Sequence, residues 1–373
     1  MLKDGRPKVR IVHETNPEKY FPALFLLEKE GRVDLRGAYR YSVCKEWLRA
    51  GILDKTSLVK RTRNAFHDLM FRFRLNAISG ETIILGFAPW DWRILIYSFL
   101  ARKNIIIYHT SWHDWRIAST PRQPKPAFVC TLIRRFWINF LLKKNVQVVA
   151  VTPLVARSLK NEIGVDSIVI PHAVPNIFFE LARENNSPVV DKLKLLYVGE
   201  VSEKKGIRTL LNLMKEIDLK NVELTVIGDG NLVSEVVNTS LPITYRGPIW
   251  DRKELASIMA EHDVLMALSR RTSVWEELFG IVIIEALAMG LAVMASDHVG
   301  PKMILSEADC LGVYGEDDQH LIVEQIKTFL NVPGSLVHFQ SLQRGIADSY
   351  RIDSIATNWL EVIEMRGNAD EVV

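Results

Sequence analysis

Short apolar runs alternate with longer amphipathic segments along the whole chain. In the first half the runs Val9–His13, Thr82–Phe87, Asn104–Tyr108, Val146–Val151 and Ser167–Ile170 predict strands. In the second half they are Leu193–Val198, Val222–Ile227, Ile243–Arg246, Val264–Leu268 and Leu291–Ala295. Strand-sized runs separated by helix-sized ones are the pattern of parallel sheets wrapped by helices, so the chain reads as α/β, with two doubly wound domains. The seam falls at Pro171-His172-Ala173-Val174-Pro175-Asn176, a Pro-bounded connection that continues through the polar stretch Arg183–Lys192. Residues 1–175 are expected as the first domain, 176–345 as the second, and 346–373 as a C-terminal helix packing back on the first. Open sheets of this kind bind ligands beyond the carboxyl ends of their strands, so two facing domains are expected to enclose a cleft.

Composition narrows the class. The chain has 373 residues, 48% hydrophobic and 24% charged, enough for two globular domains that each bury a core. Cys44, Cys130 and Cys310 are far apart and odd in number, which argues against a disulfide framework and for a reducing compartment. The opening Met-Leu-Lys-Asp-Gly-Arg-Pro-Lys lacks the apolar run of a cleavable signal. The longest apolar stretch, Gly280–Ala295, is interrupted by Glu285 and too short to span a bilayer. A cytoplasmic protein is expected.

Charge is distributed unevenly. Residues 1–175 hold 29 Lys and Arg against 14 Asp and Glu, a balance of +15, whereas residues 176–373 hold 18 against 30, a balance of −12. The first half is therefore expected to meet something anionic. No zinc-ligand spacing and no aromatic RNA-binding signature is present, so nucleic acid is not expected, and an anionic membrane surface at the inner face fits better. Two solvated surfaces that help the domains dock would have the same charges. The segment from Phe128 to Lys144, with its aromatics and paired cations, is a helix that either lies on a membrane or packs on its own sheet.

The densest chemistry lies between Trp275 and Gly290. Gly290 ends a helix from about Ile281 to Met289, and Gly280 marks the turn into it. Phe279, Gly280 and Ile281 then present backbone N–H groups at a helix N-terminus, where a phosphate fits. Glu285 follows one turn later in an apolar helix. A buried carboxylate needs a partner, and as an acceptor it suits neighbouring ribose hydroxyls; an arginine or lysine of its own domain is the alternative. Glu277, before the turn, is placed nearer whatever lies beyond the phosphates.

The run from Asp263 through Glu277 and Glu285 to Ser296, with Leu196-Tyr197-Val198-Gly199, Lys205-Gly206 and Val226-Ile227-Gly228-Asp229-Gly230 upstream, resembles the donor-site signature of the retaining, nucleotide-sugar-dependent glycosyltransferases of family four. The likeness covers residues 146–330 well and the first 145 in outline. It implies the GT-B fold of two Rossmann-like domains, with the acceptor on the first and a nucleotide-diphosphate sugar, a co-substrate and not a cofactor, on the second. It implies further that Glu285 binds the ribose, that Glu277 contacts the donor sugar, and that the backbone at Phe279, Gly280 and Ile281 holds sugar and pyrophosphate. Lys205 matches the family's phosphate-binding lysine, and Gly199 belongs to the same donor loop.

This chain also departs from that pattern. Glu200 stands where the family has an arginine, so either Lys204 turns inward to replace the cation or Glu200 points away. The glycine-rich turn after the first strand is replaced by His13-Glu14-Thr15-Asn16, and His172-Ala173-Val174-Pro175 stands where many members read Asn-Gly-Val-Asp. In similar enzymes a histidine after a first-domain strand touches the sugar near the reacting carbon, a role assigned to His109, with His113 as competitor. Trp90, Trp92, Trp112 and Trp115 either line a sugar groove or are structural. No Asp-x-Asp occurs, which suits a metal-independent site. The implied activity is front-face transfer of a hexose to a glycan or lipid-linked acceptor of the cell surface. A catalytically silent binding subunit and a nucleotide-sugar epimerase of the same fold are the rivals.

Overall fold

Strands and helices alternate through both halves of the chain, and each half closes a parallel sheet of its own. The computed structural model describes residues 5–14, 17–40, 47, 57–115, 126–182, 191–217, 220–273 and 275–367. Cys44, Thr15, Asn16 and residues 183–190 of the polar stretch lie outside them. Two compact units result: residues 1–173 with 352–373, and residues 174–351.

The first sheet runs β2-β1-β3-β4-β5-β6, with β1 at Lys8–His13, β2 at Asp34–Arg40, β3 at Thr82–Gly86, β4 at Ile105–Thr110, β5 at Val146–Ala150 and β6 at Ile168–Val169. Successive residues point to opposite faces. Ile83, Leu85, Ile106, Tyr108, Val146 and Val148 therefore form one core, and Val9, Ile11, Ile84, Ile107 and Val149 another. Helix α1 (Pro22–Lys29) covers the second face; α2 (Leu58–Phe73) and α3 (Ala127–Leu141) serve the first through Phe71 and through Ile133, Trp137 and Phe140. The 128–144 segment thus packs on its sheet, while Phe128 and Leu132 on its other face remain exposed.

Strand β2 has no counterpart among the runs in the sequence. It is an edge strand, Asp-Leu-Arg-Gly-Ala-Tyr-Arg, paired only with β1, and none of its residues is buried, so it carries no apolar alternation. Burial also decides two of the tryptophans. Trp90 and Trp115 are fully enclosed, with the Trp90 indole N–H donating to the Trp115 carbonyl at 3.0 Å, so neither lines a groove. Trp92 is 49% exposed and Trp112 packs against the core.

The second sheet runs β12-β11-β10-β7-β8-β9, with β7 at Leu193–Val198, β8 at Val222–Ile227, β9 at Ile243–Gly247, β10 at Val264–Ala267, β11 at Ala292–Ser296 and β12 at Val313–Tyr314. Its strand order reverses between β7 and β10, the topological switch point where such sheets open a crevice. Helices α4 (Ile207–Glu216), α5 (Arg252–Met259), α6 (Ile281–Ala288) and α7 (Val299–Ile304) surround it. The short turn of helix Ile346–Tyr350 packs on α6 within this unit, with Phe279 edge-on to Tyr350 at 5.8 Å. The chain therefore returns to the first unit at Ile352, six residues later than the sequence boundary at 346. Helix α8 (Ile352–Gly367) then completes the second core of the first sheet through Ile355, Trp359 and Ile363.

Candidate active site

Four loops meet at the carboxyl ends of β7, β8, β10 and β11, and their glycines explain how closely. Gly199 N–H donates to the Ile227 carbonyl at 3.0 Å. A Cβ on Gly228, whose φ is +144°, would lie 1.7 Å from the Gly199 oxygen, and one on Gly230 would lie 2.2 Å from the Val201 oxygen. The Gly228-Asp229-Gly230 segment is thus more than a turn: its backbone lies against that of the β7 loop. Gly206, at φ +75°, caps α4 where a Cβ would meet the Leu268 oxygen at 1.6 Å. Gly199 itself is not sterically required, since its Cβ would meet only the Tyr197 ring at 3.8 to 4.0 Å.

Within this frame Lys205 and Glu277 form an ion pair, joining two residues 72 apart in sequence. Ser269 Oγ reaches the same carboxylate at 3.5 Å. The Trp275 ring lies 5.0 Å from Lys205 Nζ and 5.7 Å from Lys204 Nζ, a cation–π arrangement that holds both lysines beside the loop. Lys204 pairs with Glu200 at 2.9 Å, and both side chains are substantially exposed. The carboxylate that departs from the family pattern is thereby neutralised by its neighbour one turn on. Burial, followed by the charges of Glu200 and Glu277, raises the pKa of Tyr197, whose hydroxyl donates to the Glu200 carbonyl at 2.6 Å.

Helix α6 begins at Ile281 after Gly280, at φ +87°. The backbone N–H groups of Gly280 and Ile281 donate to no carbonyl among the described residues, as expected for a helix start. Phe279 is buried, with only 4% of the residue exposed, and its main chain lies against Gly300. Glu285 is 2% exposed and ion-paired with Arg252 of α5, whose guanidinium lies 4.8 Å from the Phe178 ring centroid. The cation of its own unit, the alternative left open by the sequence, is therefore what the structure supplies.

The family model for Glycosyl transferases group 1 matches residues 192–331, the stretch that holds these loops. The chain carries a glycosyl transferases group 1 domain. The chain is 31% identical over 135 residues to a 41.2 kDa protein in the cps region of Klebsiella pneumoniae, covering 36% of each chain. It is 29% identical over 174 residues to a phosphatidyl-myo-inositol mannosyltransferase of Mycobacterium tuberculosis, covering 45% of this chain and 44% of that one. These matches span well under half of the relatives' length. The fold likeness is broader: HepE of Anabaena, solved in complex with UDP-glucose, superposes with a TM-score of 0.62 over 96% of this chain and 99% of that one, at 16% identity. The fold is that of the two-domain, Rossmann-like GT-B glycosyltransferases.

In the group 1 domain the structure brings Lys205 to Glu277, in the loop that leads into Phe279, Gly280 and Ile281, and sets Lys204 on Glu200 beside Gly199, whereas Glu285 is paired separately with Arg252. His109 belongs to the first unit. It closes β4 at 5% exposure, edge-on to Phe21 at 4.7 Å, with the rings of His13 and His172 at 6.2 and 5.8 Å and Trp359 at 6.0 Å. Burial, then the neighbouring His172 and His13, lowers its pKa well below the ordinary histidine value. His172 is lowered likewise, by burial first, to about 3. His113 is half-buried in the loop after β4.

Sequence reasoning missed Arg252, Ser269, Trp275 and His298. Ser269 could have been found as the first polar residue beyond the apolar strand β10, and His298 as the second beyond β11, the positions where such sheets place ligands and their supports. Arg252 gave no signal, because its partner is 33 residues away and fixed only by packing.

Proposed function

We propose that the protein is a retaining glycosyltransferase moving a hexose from a nucleotide-diphosphate sugar to a glycan or lipid-linked acceptor in cell-surface polysaccharide synthesis. The observation that carries the reading is the meeting of Lys205, Glu277 and the uncommitted amides of Gly280 and Ile281 at the switch point of the second sheet. Lys205 and the amides offset charge on the departing diphosphate, and Glu277 contacts the sugar. Glu285 accepts from the ribose beside Arg252. Gly199 and Lys204 line the same loop. A diphosphate is a good leaving group, so the acceptor hydroxyl attacks on the same face and its proton passes to the departing phosphate, without a divalent metal. The cps-region relative, the mannosyltransferase and the UDP-glucose complex of HepE support this substrate class.

An anionic membrane is proposed as a peripheral partner of the first unit. On α2 the side chains of Leu58, Val59, Phe66, Leu69 and Phe73 are exposed. At 100° per residue they share a stripe about 100° wide, flanked by Arg61 and Arg72 on one side and Arg63 and Arg74 on the other. No helix among the described residues is long and apolar enough to cross a membrane.

The test is to incubate the protein with uridine, guanosine and adenosine diphosphate sugars and measure nucleotide release with and without an acceptor extract. Acceptor-dependent release supports transfer. Binding without turnover points to a silent subunit, and donor conversion without acceptor points to an epimerase.

A further inference from the structure

We propose that His298 is a positioning residue that sets Glu277 by gripping its backbone, without touching substrate. The proposal rests on the donor-site reading of Glu277 given above. The loop between β10 and α6 has no regular structure to hold it at Glu277. Both ends of that residue are instead tied to the segment after β11. The Glu277 N–H donates to His298 Nδ1 at 2.9 Å, and the Gly300 N–H donates to the Glu277 carbonyl at 3.0 Å. Gly300 allows this approach, because a Cβ there would lie 2.5 Å from the Phe279 nitrogen and oxygen. The carboxylate that meets Lys205 is thus hung from a backbone fixed on two sides.

A histidine suits this post for a specific reason. His298 is fully buried, and its Nδ1 can accept from an amide only when the ring proton sits on Nε2. Nε2 faces Glu316 Oε1 at 3.1 Å, which selects that tautomer. Glu316 is held in turn: its Oε1 accepts from the Arg271 N–H at 2.9 Å and from Arg271 Nη1 at 3.2 Å, and Arg270 Nε stands 3.7 Å from Oε2. A chain of contacts therefore runs from Arg271 through Glu316 and His298 to the amide of the sugar-contacting residue.

The clamp works only with a neutral ring, since a second proton on Nδ1 would face the Glu277 N–H donor to donor. The charged groups facing the ring are Arg271, Glu316 and Glu276. Burial and the Arg271 charge hold its pKa below the ordinary histidine value, against the opposite pull of Glu316 and Glu276. The clamp is thus closed at neutral pH and opens only in acid.

Amide hydrogen exchange of the 276–280 segment, with kcat and donor KM measured beside it, tests this on His298→Ala, His298→Gln and His298→Asn. The Asn side-chain oxygen reaches the place of Nδ1 and can accept from the Glu277 amide; Gln reaches the place of Nε2 and cannot. Ala and Gln should speed exchange at Glu277 and lower kcat about 10- to 100-fold while donor KM moves little, the size expected from a misplacement near 1 Å. Asn should keep slow exchange and most of kcat, and should lose the acid limb that His298 gives the kcat profile. Glu316→Gln, which preserves an acceptor for Nε2, guards against simple misfolding and should stay close to the unsubstituted protein. Unchanged exchange in Ala and Gln overturns the clamp, and faster exchange with unchanged kcat overturns the positioning role. An unsubstituted protein that turns over no nucleotide sugar, with exchange responding as described, overturns the donor-site reading and leaves His298 a structural tie.

Discussion

The two units share a sheet architecture but build their chemistry from different materials. In the second, close approaches between backbones hold the site: Gly206, Gly228, Gly230 and Gly300 each stand where a Cβ would overlap a neighbouring main chain. Charges are then set on that frame, with Lys205 on Glu277, Lys204 on Glu200 and Arg252 on Glu285. In the first unit the corresponding strand ends carry packed rings instead. His13, His109 and His172 cluster with Tyr20, Phe21 and Trp359, and a Cβ on Gly86 would lie 2.0 Å from the His13 ring. A site held by backbone contact restricts sequence tightly, because only glycine fits, whereas rings can be exchanged for other rings. The family model matches within the second unit, at residues 192–331.

The sharpest way to break this contrast is to remove charge from the second unit. Lys205→Ala and Glu277→Ala should each reduce acceptor-dependent nucleotide release about 10²- to 10³-fold with little change in melting temperature, the usual consequence of deleting one transition-state contact. Full activity in both would dismiss the donor-site assignment.

Next in size is a pair of glycines. Gly228→Ala forces a side chain into a φ of +144° and against the Gly199 oxygen, and should cost about 3 kcal/mol in urea unfolding. Gly199→Ala meets only ordinary contacts with Tyr197 and should change stability by less than about 0.5 kcal/mol. Equal costs would mean that backbone approach is not what holds these loops.

The rings of the first unit should show themselves through pH. His109 and His172 are held below the ordinary histidine range when folded, so below about pH 6.5 the unfolded chain binds more protons. Stability is then full above that pH and declines as pH falls toward about 3 for His172, by up to about 1.4 kcal/mol per pH unit for each ring. His172→Leu should flatten this acid slope in urea melts compared at pH 7.5 and 5.0, and an unaltered slope would place the acid sensitivity elsewhere.

The smallest expected effect concerns the outer surface. Phe66→Ser with Phe73→Ser should weaken sedimentation with anionic vesicles by about tenfold, a loss near 1.4 kcal/mol, and leave nucleotide binding in the second unit alone. Binding that ignores lipid charge would remove the electrostatic part of the proposal.

The sequence by itself determined the strands that are buried on both faces, because a run such as Thr82–Phe87 or Val222–Ile227 can be satisfied only between two layers of helices. It determined the glycine and charge spacing of the loops around α6 for the same local reason: a turn into a helix and a carboxylate one turn on are separated by fixed numbers of residues. Polar edge strand β2 was invisible, since a strand paired on one side and only partly covered on its faces, through Leu35 and Tyr39, has no apolar period. Only the tertiary structure decided which cation neutralises Glu285, that Lys205 and Glu277 meet, that Trp90 and Trp115 are core, and that His298 holds the Glu277 amide. Each of those contacts joins residues more than twenty positions apart, and nothing local in the chain specifies such a meeting until the strands have fixed where their loops emerge.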